Sequence, residues 1–195
     1  MPPDVAAQAR ARLDAALATE NIGLTLLPNA EHHLFADLLF RAEAGTVVPI
    51  GGGTRWLLVE PPWTPPAMLD ELIFRLQARG LRLLLAHPER YNWLGDARLA
   101  GWVDKGVRVQ AELGSFVGFY GELCQRRVMT LVEQGLVHVL ATDLHRPQDL
   151  EGWVAAAIYS VEHQLGRGAL VRAMSDNPAA ILADAAIADI QPLVM

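Results

Sequence analysis

Cysteine is almost missing from this chain: Cys124 stands alone among 195 residues. No disulfide can therefore form within one chain, and a reducing cytoplasm is the expected setting. Cys124 has no histidine near it in sequence, so it reads as a small core residue rather than a nucleophile. Long apolar runs are missing too, and no stretch approaches the length needed to cross a bilayer. The opening MPPDVAAQARARLDAAL is broken throughout by charge, so no secretory signal is expected there. Clusters of basic residues are also lacking. The 16 Lys and Arg residues are scattered singly under a net charge of −6, which speaks against a nucleic-acid surface. The triplet Gly51–Gly53 lacks the spaced glycines and the Gly-Lys-Ser/Thr ending of a phosphate loop, and reads as a flexible turn.

What remains is 52% hydrophobic residues, enough to bury one substantial core, so residues 1–195 are expected to form a single domain. A helix runs to about Thr19, and the apolar stretch Ile22–Leu27 reads as a first short strand. Further strands are expected at Arg55–Glu60, Leu81–Ala86, Val107–Glu112 and Leu136–Ala141. Helical patterns lie between them, and Gly80, Gly106 and Gly135 sit where helices end. Strand, strand-end polar residue, helix and glycine thus recur in order. The pattern predicts a parallel sheet covered by helices, either a barrel or an open doubly wound sheet.

The stretch LRLLLAHPERY (81–91) organises the chain. An apolar run without strict alternation is what a strand buried on both faces looks like, and it delivers His87 to the C-terminal edge, where α/β enzymes gather reactive groups. Pro88 is expected to hold His87 extended and to forbid an immediate helix. A capping loop whose His87 and Arg90 merely make hydrogen bonds is the alternative. Glu31 follows the first expected strand, and Glu60 is a second carboxylate at a strand end. Asp143 and His145, two apart on a segment read as extended, would face the same side. His32 and His33, being adjacent, cannot both join one site, and His138 inside its strand reads as a hydrogen-bonded core residue. Glu31, His87, Asp143 and His145 brought to one face would suit zinc, manganese or iron and would make a hydroxide nucleophile from bound water. Arg90 would grip an oxyanion. These residues by themselves point to metal-assisted hydrolysis.

HPERY at 87–91, GVRVQAELGSFVGFYG at 106–121 and ATDLH at 141–145 together resemble the polymerase-and-histidinol-phosphatase (PHP) superfamily. Within it they are similar to the bacterial protein-tyrosine phosphatases that accompany capsule and exopolysaccharide synthesis. The resemblance covers essentially the whole chain. It implies a distorted (β/α)7 barrel, a cluster of divalent metal ions (Mn, Fe or Zn) and cytoplasmic hydrolysis of phosphotyrosine on the tail of a tyrosine autokinase. It further implies that Glu31 bridges metals and that His87, Asp143 and His145 ligate them. Arg90 would bind phosphate, with His87, Asp143 and Arg90 the catalytic set. Ser115 and Arg146 would be further substrate contacts, and Gly118 would shape the loop beside Ser115. The family begins with a strand bearing His-x-His, and no histidine precedes His32 here. An N-terminally incomplete barrel is therefore expected, completed by an upstream segment or covered by association with itself or a partner. Glu112 stands where the family usually has an uncharged polar residue, and Arg146 lies closer to His145 than the family's second phosphate-binding arginine. A partner-binding module without activity, or a metal hydrolase of another phosphoester or an amide, are the competing readings.

Overall fold

The run Arg82–Ala86 forms β3, the middle strand of a five-stranded sheet. The computed structural model describes residues 3–194, with side chains from Val5 onward. Strand β1 is Glu31–His33, β2 is Trp56–Glu60, β4 is Arg108–Glu112 and β5 is Val139–Ala141. The strands lie in sequential order, each parallel to the next. A doubly wound sheet reverses its order at a switch point and this one does not; sequential order is that of successive barrel strands, here in a sheet that stays open. The sheet's edges are β1 and β5.

Parallel neighbours need long crossovers, and each one here carries a helix. Helix α1 (Pro3–Thr19) precedes the sheet; α2 (Asp37–Glu43), α3 (Leu69–Ala78), α4 (Asp96–Asp104) and α5 (Glu122–Glu133) then alternate with the strands. After β5 come α6 (Pro147–Asp149), α7 (Ala155–Leu165), α8 (Arg167–Val171) and α9 (Asn177–Leu182), linked by π-turns at Leu150–Val154 and Arg172–Asp176. Helix α3 buries Leu69, Leu72, Ile73 and Leu76, the i, i+3, i+4, i+7 stripe of a helix that covers a sheet. No helix among the described residues is long and apolar enough to cross a membrane.

Alternation along the strands divides the core. Leu57, Val59, Leu83, Leu85, Val109 and Ala111 join the large cluster with the covering helices, whereas Trp56, Leu84 and Val139 face a smaller one with Ile181 and Ile190. The second face is closed by the C-terminal segment, which arginines tie down. Arg82 donates to Asp184 O at 2.7 Å, and Arg108 donates to Ile190 O at 3.1 Å and Ile187 O at 2.9 Å. Asn177 bridges the carbonyls of His138 and Gln191, each at 2.7 Å.

Two local expectations fail. Residues 22–30 form no strand, and Ile22, Leu24 and Leu27 are about half exposed or more. A strand exists through a ladder partner, and the edge of β2 is taken by the polar Glu31–His33 instead. Glu31 thus begins β1 rather than following a strand. His87 is likewise not extended. Its φ of 36° and ψ of 52° are left-handed, and Pro88 opens a 3-10 turn, Pro88–Arg90, at once. Proline is compatible with a first helical position because its missing N–H has no partner there anyway.

Candidate metal and phosphate site

Because the strands are parallel and in order, their C-terminal ends converge, and Glu60, His87, Glu112 and Asp143 come from four consecutive ends. His87 and Asp143 both have positive φ, 36° and 49°, a conformation that costs a non-glycine residue energy and persists where the surroundings over-determine it. The two turns redirect the chain at the strand ends. His87, Glu112 and Asp143 each offer a donor atom, and these atoms lie within 4.8 Å of one another.

Carboxylates crowd the imidazole of His87. Its Nε2 stands 3.2 Å from Glu31 Oε1 and 3.8 Å from Glu60 Oε1, and its ring stacks on Tyr91 at 5.9 Å between centroids. Tyr91 donates its hydroxyl to Glu60 at 2.8 Å, and His33 Nδ1 lies 2.8 Å from the other oxygen of Glu60. Burial works against the charged imidazole of His87, but its bond to Glu31 and the nearby Glu112 prevail, so its pKa is raised. The same bond to His87 holds the Glu31 carboxyl below its usual range.

Glu112 is fully buried, and its pKa is pushed up to about 8, first by burial, then by Glu89 and by hydrogen bonding with Asp143. Arg90 offsets part of this: its Nη1 donates to Glu112 Oε1 at 3.0 Å and lies 3.9 Å from Asp143 Oδ2. The guanidinium also stacks over Trp63 at 5.7 Å and Tyr120 at 5.1 Å. Gly114 makes room for that second ring, because a Cβ there would meet Tyr120 at 2.9 Å. Behind the site, buried Glu89 accepts from the backbone N–H of Glu112 at 2.8 Å and from Ser115 Oγ at 2.9 Å.

The donor set fits a divalent cation. One imidazole and two carboxylates are ligands that zinc, manganese and iron accept. Glu112 Oε2 and His87 Nδ1 are buried without a hydrogen-bond partner, which is costly for polar atoms unless something else satisfies them. Two neighbouring carboxyl groups that share a proton are also relieved by a cation.

The structure brings Glu31, His87, Arg90 and Asp143 together and treats the other expected residues differently. His145 donates its Nδ1–H to the carbonyl of Asp143 at 2.8 Å, and its side chain is 77% exposed, outside the triad. The argument for a shared side assumed an extended segment, and the left-handed turn at Asp143 breaks the alternation. Arg146 is exposed at the start of α6. Ser115 is closed to solvent with its hydroxyl on Glu89, where it braces the turn that follows β4. Gly118 has φ of 72° and ends that turn. His32 is buried between Arg41 and Val48, whereas His33 on the opposite side of the strand reaches Glu60. His138 is a neutral core histidine, its pKa lowered to about 3 by burial and then by Arg108. Cys124 is half-buried, and burial raises its thiol pKa, so it is a poor nucleophile. Glu112 is the residue that sequence reasoning missed, although its place at the end of β4 is the same signal that marked His87.

Comparison with known proteins adds a family. A family model described as "Capsular polysaccharide synthesis, CpsB/CapC" matches residues 2–183. The chain is 27% identical over 167 residues to the tyrosine-protein phosphatase YwqE of Bacillus subtilis (strain 168), covering 84% of this chain and 65% of that one. It therefore spans less than two thirds of that relative's length. Among solved structures, it superposes with a TM-score of 0.85 and 26% identity on a chain from the crystal structures of YwqE from Bacillus subtilis and CpsB from Streptococcus pneumoniae. Those two are described as unique metal-dependent tyrosine phosphatases, and the match covers 99% of this chain and 79% of that one.

Proposed function

This chain belongs to the CpsB/CapC family of capsular polysaccharide synthesis, and from that premise we propose that it hydrolyses phosphotyrosine in a metal-dependent manner. The observation that carries the reading is the convergence of His87, Glu112 and Asp143 with Arg90 against them. The substrate is a phosphotyrosyl protein, with the tail of a bacterial tyrosine autokinase as the specific partner. The setting is the cytoplasm, and the protein associates with copies of itself.

His87, Glu112 and Asp143 would hold the ion, and Glu31 stands beside them as a further donor. A divalent ion supplies charge neutralisation for the phosphoryl oxygens and lowers the pKa of a water nucleophile. The chain's own groups do the rest. Arg90 Nη1 is held by Glu112, while its Nε and Nη2 make no hydrogen bond within the described residues and are available to two phosphate oxygens. Stacking on Trp63 and Tyr120 fixes the plane of that fork before substrate arrives, which lowers the ordering cost of binding. Glu31 and Glu60 orient His87, and Glu89 fixes the backbone of Glu112.

The test is hydrolysis of p-nitrophenyl phosphate and of a phosphotyrosyl peptide with added manganese. Metal-stimulated turnover that disappears in His87→Ala and Asp143→Ala supports the reading. Absence of metal-stimulated turnover on both substrates overturns it, and metal-free protein that still binds the kinase tail would favour a partner-binding module.

A further inference from the structure

The segment PPWTPP, residues 61–66, sets an aromatic side chain between two pairs of prolines, and steadying Arg90 engages only part of that indole. Proline pairs restrict the backbone on both sides, so the loop is stiff without secondary structure. Pro61 and Pro62 are buried, and Trp93 Nε1 donates to the Pro62 carbonyl at 3.1 Å, which anchors the loop root. Trp63 itself is 65% exposed. A single exposed apolar side chain is ordinary on a protein surface, so what singles this one out is where it stands.

Its position relative to the site is defined by two contacts. The indole lies 5.0 Å from the Tyr91 ring, which stacks on His87, and Arg90 Cζ stands 5.7 Å over it. One guanidinium therefore separates Trp63 from Glu112 and Asp143. The other aromatic groups nearby are committed. Tyr91 is fully buried with its hydroxyl on Glu60, Tyr120 lies under the Arg90 guanidinium, and Phe119, though 47% exposed, packs against Trp153 at 5.1 Å rather than against Arg90.

We propose that Trp63 is a specificity-determining residue that stacks against the aromatic ring of a phosphate ester held by Arg90, selecting aryl over alkyl phosphates. The inference rests on the phosphatase reading for its biological meaning, but it can be measured by binding alone. A phosphate gripped by Arg90 carries its ester group outward, and the open part of the indole is the apolar surface beside that path. Offset or tilted stacking between aromatic rings supplies the discrimination, because an alkyl group has no π-face to offer.

The experiment compares phenylphosphonate with methylphosphonate, both non-hydrolysable, by calorimetric titration of the manganese-loaded protein. Wild type, Trp63→Ala and Trp63→Phe are measured. Trp63→Ala is expected to weaken both ligands through the lost stacking on Arg90, and to weaken phenylphosphonate by roughly three- to tenfold more than methylphosphonate, so that the aryl-to-alkyl ratio falls by that factor. Trp63→Phe keeps a ring and is expected to restore most of the preference. Equal weakening of both ligands in Trp63→Ala, an unchanged ratio, or a wild type without aryl preference would overturn the assignment. Hydrolysis of phenyl phosphate is scored separately in the same samples. Aryl preference without metal-stimulated turnover refutes the phosphatase reading and leaves the stacking intact; turnover without preference refutes the stacking alone.

Discussion

Replacing Glu112 with glutamine separates what this residue does for a metal from what it costs the fold. Its carboxyl is fully buried, its Oε2 has no partner, and Glu89 and Asp143 press on it, so its pKa rises from the ordinary 4.5 to about 8. A raised pKa means that the folded state binds more protons than the unfolded chain between those two values. Stability from this group is therefore fully present below about pH 4.5 and is lost progressively as pH rises to about 8. At about 1.4 kcal/mol per pKa unit, the loss is a few kcal/mol as an order of magnitude. For a chain of this size that corresponds to roughly 5–15 °C in Tm. Glutamine keeps the shape and an oxygen for Arg90 but cannot ionise. Thermal unfolding of chelator-treated wild type and Glu112→Gln should agree within about 1 kcal/mol at pH 5, and the variant should be the more stable above pH 8. Adding manganese should raise the Tm of wild type by mass action and that of the variant much less. Parallel pH curves for the two proteins, or an undiminished manganese shift in Glu112→Gln, would refute the placement of this carboxyl in the metal triad.

Arg90→Lys keeps the charge but loses the planar fork and its stacking on Trp63 and Tyr120, so KM for p-nitrophenyl phosphate should rise about tenfold or more, read from steady-state kinetics. Ser115→Ala removes one of two donors to buried Glu89 and should cost about 1–3 kcal/mol in denaturant unfolding, while KM changes little because Ser115 is closed to solvent. His145→Ala should change manganese affinity by no more than about threefold in equilibrium dialysis, because the imidazole faces solvent outside the triad; a loss of about tenfold or more would show that it is a donor.

The sequence by itself determined the architecture and half of the site. Apolar runs that end at polar residues and alternate with glycine-closed helices specify a helix-covered parallel sheet, because those signals are local: periodicity, breakers and caps act within a few residues. The same locality made His87, Arg90 and Asp143 legible, since each follows or closely trails an apolar strand. What only the tertiary structure decided is which neighbours those residues meet. The apolar Ile22–Leu27 lost the role of first strand to Glu31–His33 because the ladder with β2 accepted the polar segment. Left-handed turns at His87 and Asp143 overrode the alternation that an extended chain would give, and His145 was left facing solvent. Glu112 became a member of the triad because β4 lies between β3 and β5, and Ser115 was drawn inward by Glu89, which is 26 residues away in sequence. These outcomes depend on pairing and burial among distant segments, whose free energies exist only once the sheet has formed.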